Sequence, residues 1–232
     1  KAEKFYRTIN NATFFKTTIE NAELIKVSYN TFISTKITFI NTIMEMCHKL
    51  PNTNIDDVTN ALMLGSKRLI SGAYLRGGMG DGGGCHPRDN IALSWLARKL
   101  KISNDFFDQI MMQREKQTDW LVQLIEENMT KNEKVYILGK SFKPETTITT
   151  GSPSILLDNL LKEKGINAIV YDPYIDKSEP KFEKGVYFIG TKHEFFQNFN
   201  FPKGSTVIDP FRIINKDVSH IKLIRIGDNN NY

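Results

Sequence analysis

The stretch KVYILGK at residues 134–140 decides the fold of the second half of the chain. Its four apolar residues run directly into a glycine, which predicts a buried strand that enters a loop. A helix is predicted to open at Ser152-Pro153, because serine is a favoured N-cap and proline suits the first turn. Four further runs are interpreted as strands: INAIVYDP, GVYFIG, STVIDP and IKLIRIG, at residues 166–173, 185–190, 205–210 and 221–227. Residues 191–199 are predicted to form a short helix. Strands that alternate with helices predict an open α/β sheet.

The first half of the chain is predicted to be all-helical. Residues 20–50 contain neither glycine nor proline, and apolar residues recur there at helical spacing from Ile25 to Cys47. Other apolar residues lie off this stripe, which predicts one long helix buried on more than one side, in a core or a subunit interface. A further helix is predicted from Ser103 to about Met129. We therefore expect an all-helical domain at residues 1–130 and an α/β domain at residues 131–232.

Composition excludes several classes of protein. The chain has 232 residues, 40% of them hydrophobic and 25% charged, which is an ordinary globular balance. No run approaches the roughly 18 apolar residues of a membrane span. The net charge is +5, but Lys and Arg are dispersed among acidic residues, which favours a phosphate-bearing small molecule over nucleic acid. Two cysteines and a polar start without a signal peptide indicate the cytoplasm. The first residue is Lys1, so we expect a piece of a longer protein.

The most unusual segment is RGGMGDGGGCHPRDN at residues 76–90. It contains G-x-G-x-x-G at Gly78, Gly80 and Gly83, but it lacks the preceding buried strand and the helix on the last glycine that a dinucleotide fingerprint needs. Cys85 lies between this loop and a helix predicted to begin near Pro87, where orphan N–H groups favour a thiolate. Asp89 follows in the expected first turn and could deprotonate a water. A loop thiol beside a capping aspartate remains an alternative reading.

Two further positions could contribute to chemistry. Lys26 and Asn30 are four residues apart and share one helix face, so they could converge as an oxyanion site or simply lie at a solvated edge. His48, His193 and His220 make no metal-ligand spacing with cysteines or carboxylates, and no metal site is predicted.

Four segments together resemble the UDP-glucose/GDP-mannose dehydrogenase family. AELIKVSYNTFISTKITFIN at residues 22–41 is similar to the family's central helix with its Lys-x-x-x-Asn. The glycines and Cys85-x-Pro87-x-Asp89 resemble its catalytic loop, and ILGKSFKP (137–144) and VYDP (170–173) resemble its C-terminal domain. The resemblance implies a helical dimerisation domain followed by a Rossmann-like α/β domain that binds the nucleotide sugar.

The resemblance also implies the reaction and the roles of single residues. The family oxidises the C6 hydroxyl of a nucleotide sugar to a carboxylate with two NAD. Cys85 would be the nucleophile, with Asp89, Lys26 and Asn30 assisting proton transfer and stabilising oxyanions. Phe142 and Lys143 match positions that hold the nucleotide sugar. Arg68 would reach the substrate of the neighbouring subunit in a homodimer. The remaining positions with a substrate-binding counterpart are Tyr74, Leu75, Gly80, Gly82, Gly83 and Arg212.

The chain departs from the family in two ways. The N-terminal Rossmann domain that would bind NAD is not in this sequence, so we expect the chain alone to be inactive. The acidic pair and the NAD-contacting arginine of the family are replaced by Thr147, Ile148 and Thr150. UDP-glucose is the first choice of substrate. Alternatives are the same chemistry on a UDP-N-acetylhexosamine or GDP-mannose, or a non-catalytic module that binds nucleotide sugars.

Overall fold

A computed structural model describes residues 1–23, 25, 26, 35, 39, 43, 46, 50–53, 55–69, 78, 79, 85–215 and 217–227. At residues 55, 68, 69 and 85–89 it describes the backbone alone. Contacts divide the chain into two compact units, Lys1–Asn60 and Ala61–Tyr232. The 130/131 boundary between the two predicted domains stays a prediction. No helix within the described ranges is long and apolar enough to cross a membrane.

The first unit begins with the short helix α1 (Ala2–Tyr6), whose side chains are largely exposed. The long helix predicted at residues 20–50 lies largely outside the described residues. Those that are described between Ile19 and Met46 are helical, and Met46 is buried. The role of this helix as a dimer core therefore stays a prediction.

Five α-helices are described from residue 55 onwards, and two of them begin elsewhere than predicted. Helix α4 starts at Cys85 rather than near Pro87, because the first four N–H groups of a helix lack partners and proline costs nothing there. Helix α5 starts after Asp105, whose carboxylate caps the N–H of Asp108, and not at Ser103. The five helices are α2 (Ile55–Leu64), α3 (Ser66–Leu69), α4 (Cys85–Lys99), α5 (Phe106–Asn128) and α6 (Pro153–Glu163).

The predicted α/β sheet is confirmed and has five parallel strands in the order β2-β1-β3-β4-β5. Ser152 caps α6 as expected, its hydroxyl accepting from the N–H of Ser154. The short helix predicted from Thr191 to Phe199 is a 3₁₀ helix over Glu194–Asn198. The strands are β1 (Lys134–Leu138), β2 (Ile169–Tyr171), β3 (Gly185–Ile189), β4 (Thr206–Asp209) and β5 (Lys222–Arg225).

The two faces of the sheet are covered by different material. On one face, alternate strand residues such as Ile137 and Phe188 pack against α5 and α6, through Ile125 and Leu161 among others. On the opposite face the cluster is aromatic and includes Tyr136 stacked on Tyr187 at 4.5 Å between ring centroids. It is covered by the 3₁₀ helix and by loops. Strands buried on both sides explain why their sequences read as continuous apolar runs.

The strand order indicates where a ligand is expected, namely at the end of the sheet formed by the carboxyl ends of the strands, which is called the carboxyl edge below. From β1 the chain moves through α6 to β2 on one side, and then crosses to β3, β4 and β5 on the other. In open parallel sheets of this order, ligands bind outside the carboxyl ends of the strands where the direction reverses, here between β1 and β3. The segments that follow β1 and β3 are residues 139–152 and 190–193. They carry Phe142 and Lys143, two of the residues expected to bind the nucleotide sugar.

Candidate active site: the carboxyl edge of the sheet

The turn that follows β1 is closely packed against the turn that follows β3. Gly139 has φ +106°, and a Cβ there would lie 2.4 Å from the Thr191 side chain, so only glycine fits without a shift. The Thr191 hydroxyl donates to the carbonyl of Ser141 at 2.7 Å. These contacts fix the start of the loop that presents Phe142 and Lys143.

The carboxylate of Asp172, the first residue after β2, is fully buried at the centre of this edge. Its Oδ2 accepts from the backbone N–H groups of Lys140 and Ser141 at 2.7 and 3.1 Å, and its Oδ1 accepts from the N–H of Tyr174 at 2.9 Å. Burial alone would raise the pKa of Asp172. Hydrogen bonds from His193 and from these backbone groups outweigh burial and hold the pKa well below its ordinary value.

The imidazole of His193 is fully buried beside Asp172, and its contacts define its tautomer. Nδ1 accepts from the backbone N–H of Glu145 at 3.0 Å, so Nδ1 carries no proton. Nε2 is therefore the protonated nitrogen. It faces Asp172 Oδ2 at 3.1 Å and Ser141 Oγ at 3.2 Å. The neutral ring thus donates through Nε2 to Asp172 and Ser141, and it accepts through Nδ1 from Glu145.

The two lysines of this loop have different surroundings. Lys140 Nζ lies 2.6 Å from Asp176 Oδ1, and both side chains are about a quarter exposed. Its charge is therefore neutralised locally. Lys143 is exposed and forms no ion pair with any residue that the structure describes. Its Nζ lies 5.4 Å from the centroid of the Phe142 ring, within the range of a cation–π contact. Of the two lysines in the loop after β1, Lys143 is accordingly the one that an anionic ligand can reach.

The start of the glycine-rich segment contacts the same edge of the sheet. Gly78 lies against the ring of Phe211, two residues beyond β4, and a Cβ at Gly78 would come within 2.8 Å of that ring. The Gln117 amide of α5 donates to the carbonyl of Gly78 at 3.1 Å. Met79 packs against the apolar cluster between the sheet and its helices. The segment that leads to Cys85 therefore begins beside the carboxyl ends of the strands.

Arg212, expected to bind substrate, has contacts that the sequence did not indicate. Its Nη1 donates to the carbonyl oxygens of Pro210 and Ile226, both at 2.8 Å, and its backbone is held at φ +59°. The backbone N–H of Arg212 donates to the buried Asp209 carboxylate. These bonds join the segment after β4 to the end of β5, and a direct role of Arg212 toward substrate stays a prediction.

Some of the other predicted site residues lie within the described part of the chain, and others lie outside it. Cys85 is the first residue of α4, and Asp89 is the fifth, one turn later than expected, because the helix starts before Pro87. Arg68 lies in α3, and Lys26 is exposed in the first unit. No group of acidic, histidine or cysteine side chains in the described ranges could hold a metal ion. The remaining predicted residues, which lie outside the described ones, are Asn30, Tyr74, Leu75, Gly80, Gly82 and Gly83.

Sequence reasoning missed the buried pair at the centre of the site. In the sequence, Asp172 stands out only as part of VYDP, and His193 only as a histidine without metal-ligand spacing. One signal was present, since Asp172 follows a buried strand directly and such positions reach the carboxyl edge of a parallel sheet. Nothing in the sequence indicated that His193, 21 residues further along, would face it.

Comparison with known proteins agrees with this architecture. Two domain models of the UDP-glucose/GDP-mannose dehydrogenase family match the chain, the central domain at residues 20–115 and the UDP binding domain at residues 136–216. UDP-glucose 6-dehydrogenase TuaD of Bacillus subtilis is 30% identical over 168 residues, which are 70% of this chain and 35% of that protein. UDP-glucose 6-dehydrogenase of Rickettsia bellii is 29% identical over 181 residues, 76% of this chain and 41% of that protein.

Solved structures show the same fold. A ternary complex of GDP-mannose dehydrogenase from Pseudomonas aeruginosa superposes with a TM-score of 0.83 at 23% identity, covering 96% of this chain and 57% of that one. A UDP-glucose dehydrogenase from Pyrobaculum islandicum gives a TM-score of 0.55 at 25% identity, covering 88% and 50%.

The helices and the parallel sheet that follows them thus correspond, in order, to the central and UDP binding domains of one family of nucleotide-sugar dehydrogenases. The chain belongs to the UDP-glucose/GDP-mannose dehydrogenase family, through its central and UDP-binding domains. It spans 35% and 41% of the length of the two curated relatives named above.

Replacing Asp172 by Asn tests how much the buried carboxylate stabilises the fold. The pKa of Asp172 is lower in the folded chain than in the unfolded chain, where it is about 3.9. The ionised carboxylate therefore stabilises the folded state in full above the unfolded pKa, and this stabilisation is lost as the pH falls below that value towards the folded pKa. We expect Asp172→Asn to lower the free energy of unfolding by about 2–4 kcal/mol at pH 7, and the difference from wild type to shrink below about pH 4. Urea unfolding at pH 7 and pH 3 measures both.

The exposed Asp119 supplies the matched control, because Asp119→Asn removes the same charge from the surface of α5. It should change stability by less than about 0.5 kcal/mol at either pH. Equal effects of the two substitutions at pH 7 would contradict the role given to Asp172.

Proposed function

We propose that the chain supplies the catalytic cysteine and the nucleotide-sugar site of a cytoplasmic, NAD-dependent nucleotide-sugar 6-dehydrogenase. One observation carries the proposal. The segment leading to Cys85 starts at Gly78 against Phe211, at the same edge of the sheet as Phe142 and Lys143. A sugar whose diphosphate lies at that edge would have its far end directed towards the glycine-rich segment.

The nucleotide end is assigned to the loop after β1. Lys143 offers an exposed, unneutralised ammonium group for the diphosphate, while Lys140 is held by Asp176. The Phe142 ring, half-buried beside it, offers an apolar surface. By family resemblance, Tyr74, Leu75 and the glycines Gly80, Gly82 and Gly83 would enclose the sugar, with Arg212 nearby.

The chemistry is assigned to the helical part. Cys85 at the start of α4 lies where the helix dipole favours a thiolate, the form that attacks an aldehyde. A covalent adduct on Cys85 would retain the reactive aldehyde formed in the first oxidation until the second oxidation yields a thioester. Asp89, on the same helix, would deprotonate the water that hydrolyses this thioester. Lys26 and Asn30 would stabilise the oxyanions.

NAD is the hydride acceptor that the family's reaction implies, but the described sheet does not fit a dinucleotide. After β1 only one glycine, Gly139, follows the strand directly; the other, Gly151, lies twelve residues further on, and α6 begins only at Pro153, so no helix N-terminus follows the strand closely. Thr147, Ile148 and Thr150 are exposed and uncharged on the intervening loop. We therefore assign the nicotinamide cofactor to none of the residues that the structure describes.

The substrate is proposed to be UDP-glucose, converted to UDP-glucuronate. Curated relatives from Bacillus subtilis and Rickettsia bellii are UDP-glucose 6-dehydrogenases, which supports this choice. The structural similarity to a GDP-mannose dehydrogenase shows the fold only. A homodimer through the helix at residues 20–50, with Arg68 reaching the partner's substrate, is part of the same proposal.

Replacing Lys143 by Ala tests the nucleotide site. Loss of the only unpaired cation on this loop should weaken binding of UDP by about tenfold, since charge-assisted hydrogen bonds contribute about 1.5–3 kcal/mol. Lys181→Ala is the control, because Lys181 is 88% exposed and lies before β3, at the opposite edge of the sheet. Titration calorimetry with UDP and with GDP measures both variants. Equal losses in the two would argue against the site.

Replacing Cys85 by Ala tests the chemistry in the longer protein that joins this chain to its cofactor domain. Without the thiol, conversion of UDP-glucose to the uronate should fall below detection, because no covalent adduct can form. Cys47→Ala removes the other cysteine and should retain activity. Chromatography of the sugar nucleotides follows the product. Unchanged turnover in the Cys85 variant would end the assignment.

The 232-residue chain alone should bind a UDP-sugar, bind NAD hardly at all and form no NADH. Hydride transfer requires the nicotinamide within about 3–3.5 Å of the sugar C6, and no residue here is assigned to hold it. Absorbance at the NADH band, with UDP-glucose and NAD in excess, gives the answer. Steady NADH formation by the purified chain would show that its own residues hold the cofactor.

A further inference from the structure

The imidazole of His193 contacts both ends of the segment that carries the nucleotide-binding residues. Before the segment, Nε2 faces Ser141 and the Asp172 carboxylate that accepts from the Ser141 N–H. After it, Nδ1 accepts from the N–H of Glu145. Only Phe142, Lys143 and Pro144 lie between these two ends. One buried ring therefore spans the three-residue segment.

The far end of the segment is held in an unusual backbone conformation. Glu145 has φ +51°, which a residue with a side chain adopts at a cost of roughly 1 kcal/mol and keeps only where its surroundings require it. The surroundings here are the His193 imidazole on the Glu145 N–H and the N–H of Glu194, which donates to the Glu145 carboxylate at 3.2 Å. The turn thus depends on the segment after β3.

Inside the segment, hydrogen bonds converge on the residue that presents the charge. The Ser141 hydroxyl donates to the carbonyl of Lys143 at 2.9 Å, and the Thr146 hydroxyl donates to the same oxygen at 3.3 Å. The Phe142 N–H donates to the carbonyl of Ile148 at 3.0 Å. The backbone of Lys143 is therefore fixed, while its ammonium group stays exposed.

We propose that His193 is a positioning residue: its neutral imidazole clamps Ser141 and Glu145 so that Lys143 is preorganised for the diphosphate of the substrate. The proposal rests on the function proposed above and adds a residue to it. The ring itself is completely buried and does not reach the ligand. It lowers the cost of binding because the loop is ordered before the nucleotide arrives.

Two conservative substitutions separate the two halves of the clamp. In His193→Gln the terminal amide can replace Nε2 and donate to Asp172, but nothing accepts from the Glu145 N–H. In His193→Asn the shorter amide oxygen can replace Nδ1 and accept from Glu145, but Asp172 loses the imidazole donor and keeps only its backbone donors. Each variant should bind UDP about three- to tenfold more weakly than wild type, the equivalent of one hydrogen bond.

His220→Gln is the matched control. His220 is the other histidine with a described ring contact: its Nε2 lies 3.0 Å from the carbonyl of Phe201, before β5 at the opposite edge of the sheet. The same substitution there should leave the UDP affinity unchanged. Circular dichroism on each variant at the binding temperature reports that it is folded.

A double-mutant cycle with Lys143→Ala distinguishes positioning from general loss of structure. If His193 acts through Lys143, its substitution should cost little further affinity once Lys143 is gone, so the two effects are not additive. Additive effects, or full affinity in both His193 variants, would overturn the clamp while leaving the nucleotide site intact. Absence of UDP binding in the wild-type chain would overturn the proposed function itself.

A spectroscopic measurement on the unmodified chain tests the clamp without any variant. Nitrogen NMR of the histidine rings at the pH of the binding measurements should show His193 with its proton on Nε2 and with Nδ1 bare, as the Glu145 contact requires. A ring protonated on Nδ1 at that pH could not accept from Glu145 and would contradict the proposal.

Discussion

The buried carboxylate of Asp172 is the interaction on which the rest of this edge depends. A charge removed from water is tolerated only when donors replace the water. Asp172 receives them from four directions, namely the N–H groups of Lys140, Ser141 and Tyr174 and the imidazole of His193. Because these donors follow β1, β2 and β3, one carboxylate ties three strand ends together.

The arrangement also decides which charges remain available to a ligand. Asp176 extends the acidic centre, pairing with Lys140 through one oxygen and accepting from the N–H of Asp172 through the other. Lys140 therefore stabilises the fold through this ion pair and is not available to a ligand, although it lies nearer to β1 than Lys143 does. Lys143, three residues further, is left to solvent over the Phe142 ring. Structural and ligand-binding lysines are thus separated within one loop.

The strands and one helix cap could be predicted from the sequence, whereas the start of α4 could not, and the physical reasons differ. The strands were predictable because Val135 to Leu138 and Val186 to Ile189 are apolar throughout, as strands buried on both faces must be. The Ser152 cap was predictable because an N-cap needs only a side-chain acceptor next to the first N–H groups of its own helix. The start of α4 was not, since Pro87 fits equally at several positions in a first turn.

The pairing of Asp172 with His193 was beyond sequence reasoning for a different reason. It depends on the order β2-β1-β3, which places the two residues on either side of β1 although they follow strands that do not pair with each other. Arg212 illustrates the same limit, because its carbonyl partner at Ile226 lies 14 residues away at the end of a different strand. The residue types of Asp172, His193 and Arg212 show what bonds they can form, but their partners follow only from the order of the strands.

A crystal structure of the chain with UDP bound tests the central claim most directly. The account predicts the diphosphate at the carboxyl edge, with a phosphate oxygen within about 4 Å of Lys143 Nζ, and with Lys140 still on Asp176 and His193 still between Asp172 and Glu145. UDP bound at the opposite edge of the sheet, or at this edge with its phosphates on Lys140 and none near Lys143, would contradict it.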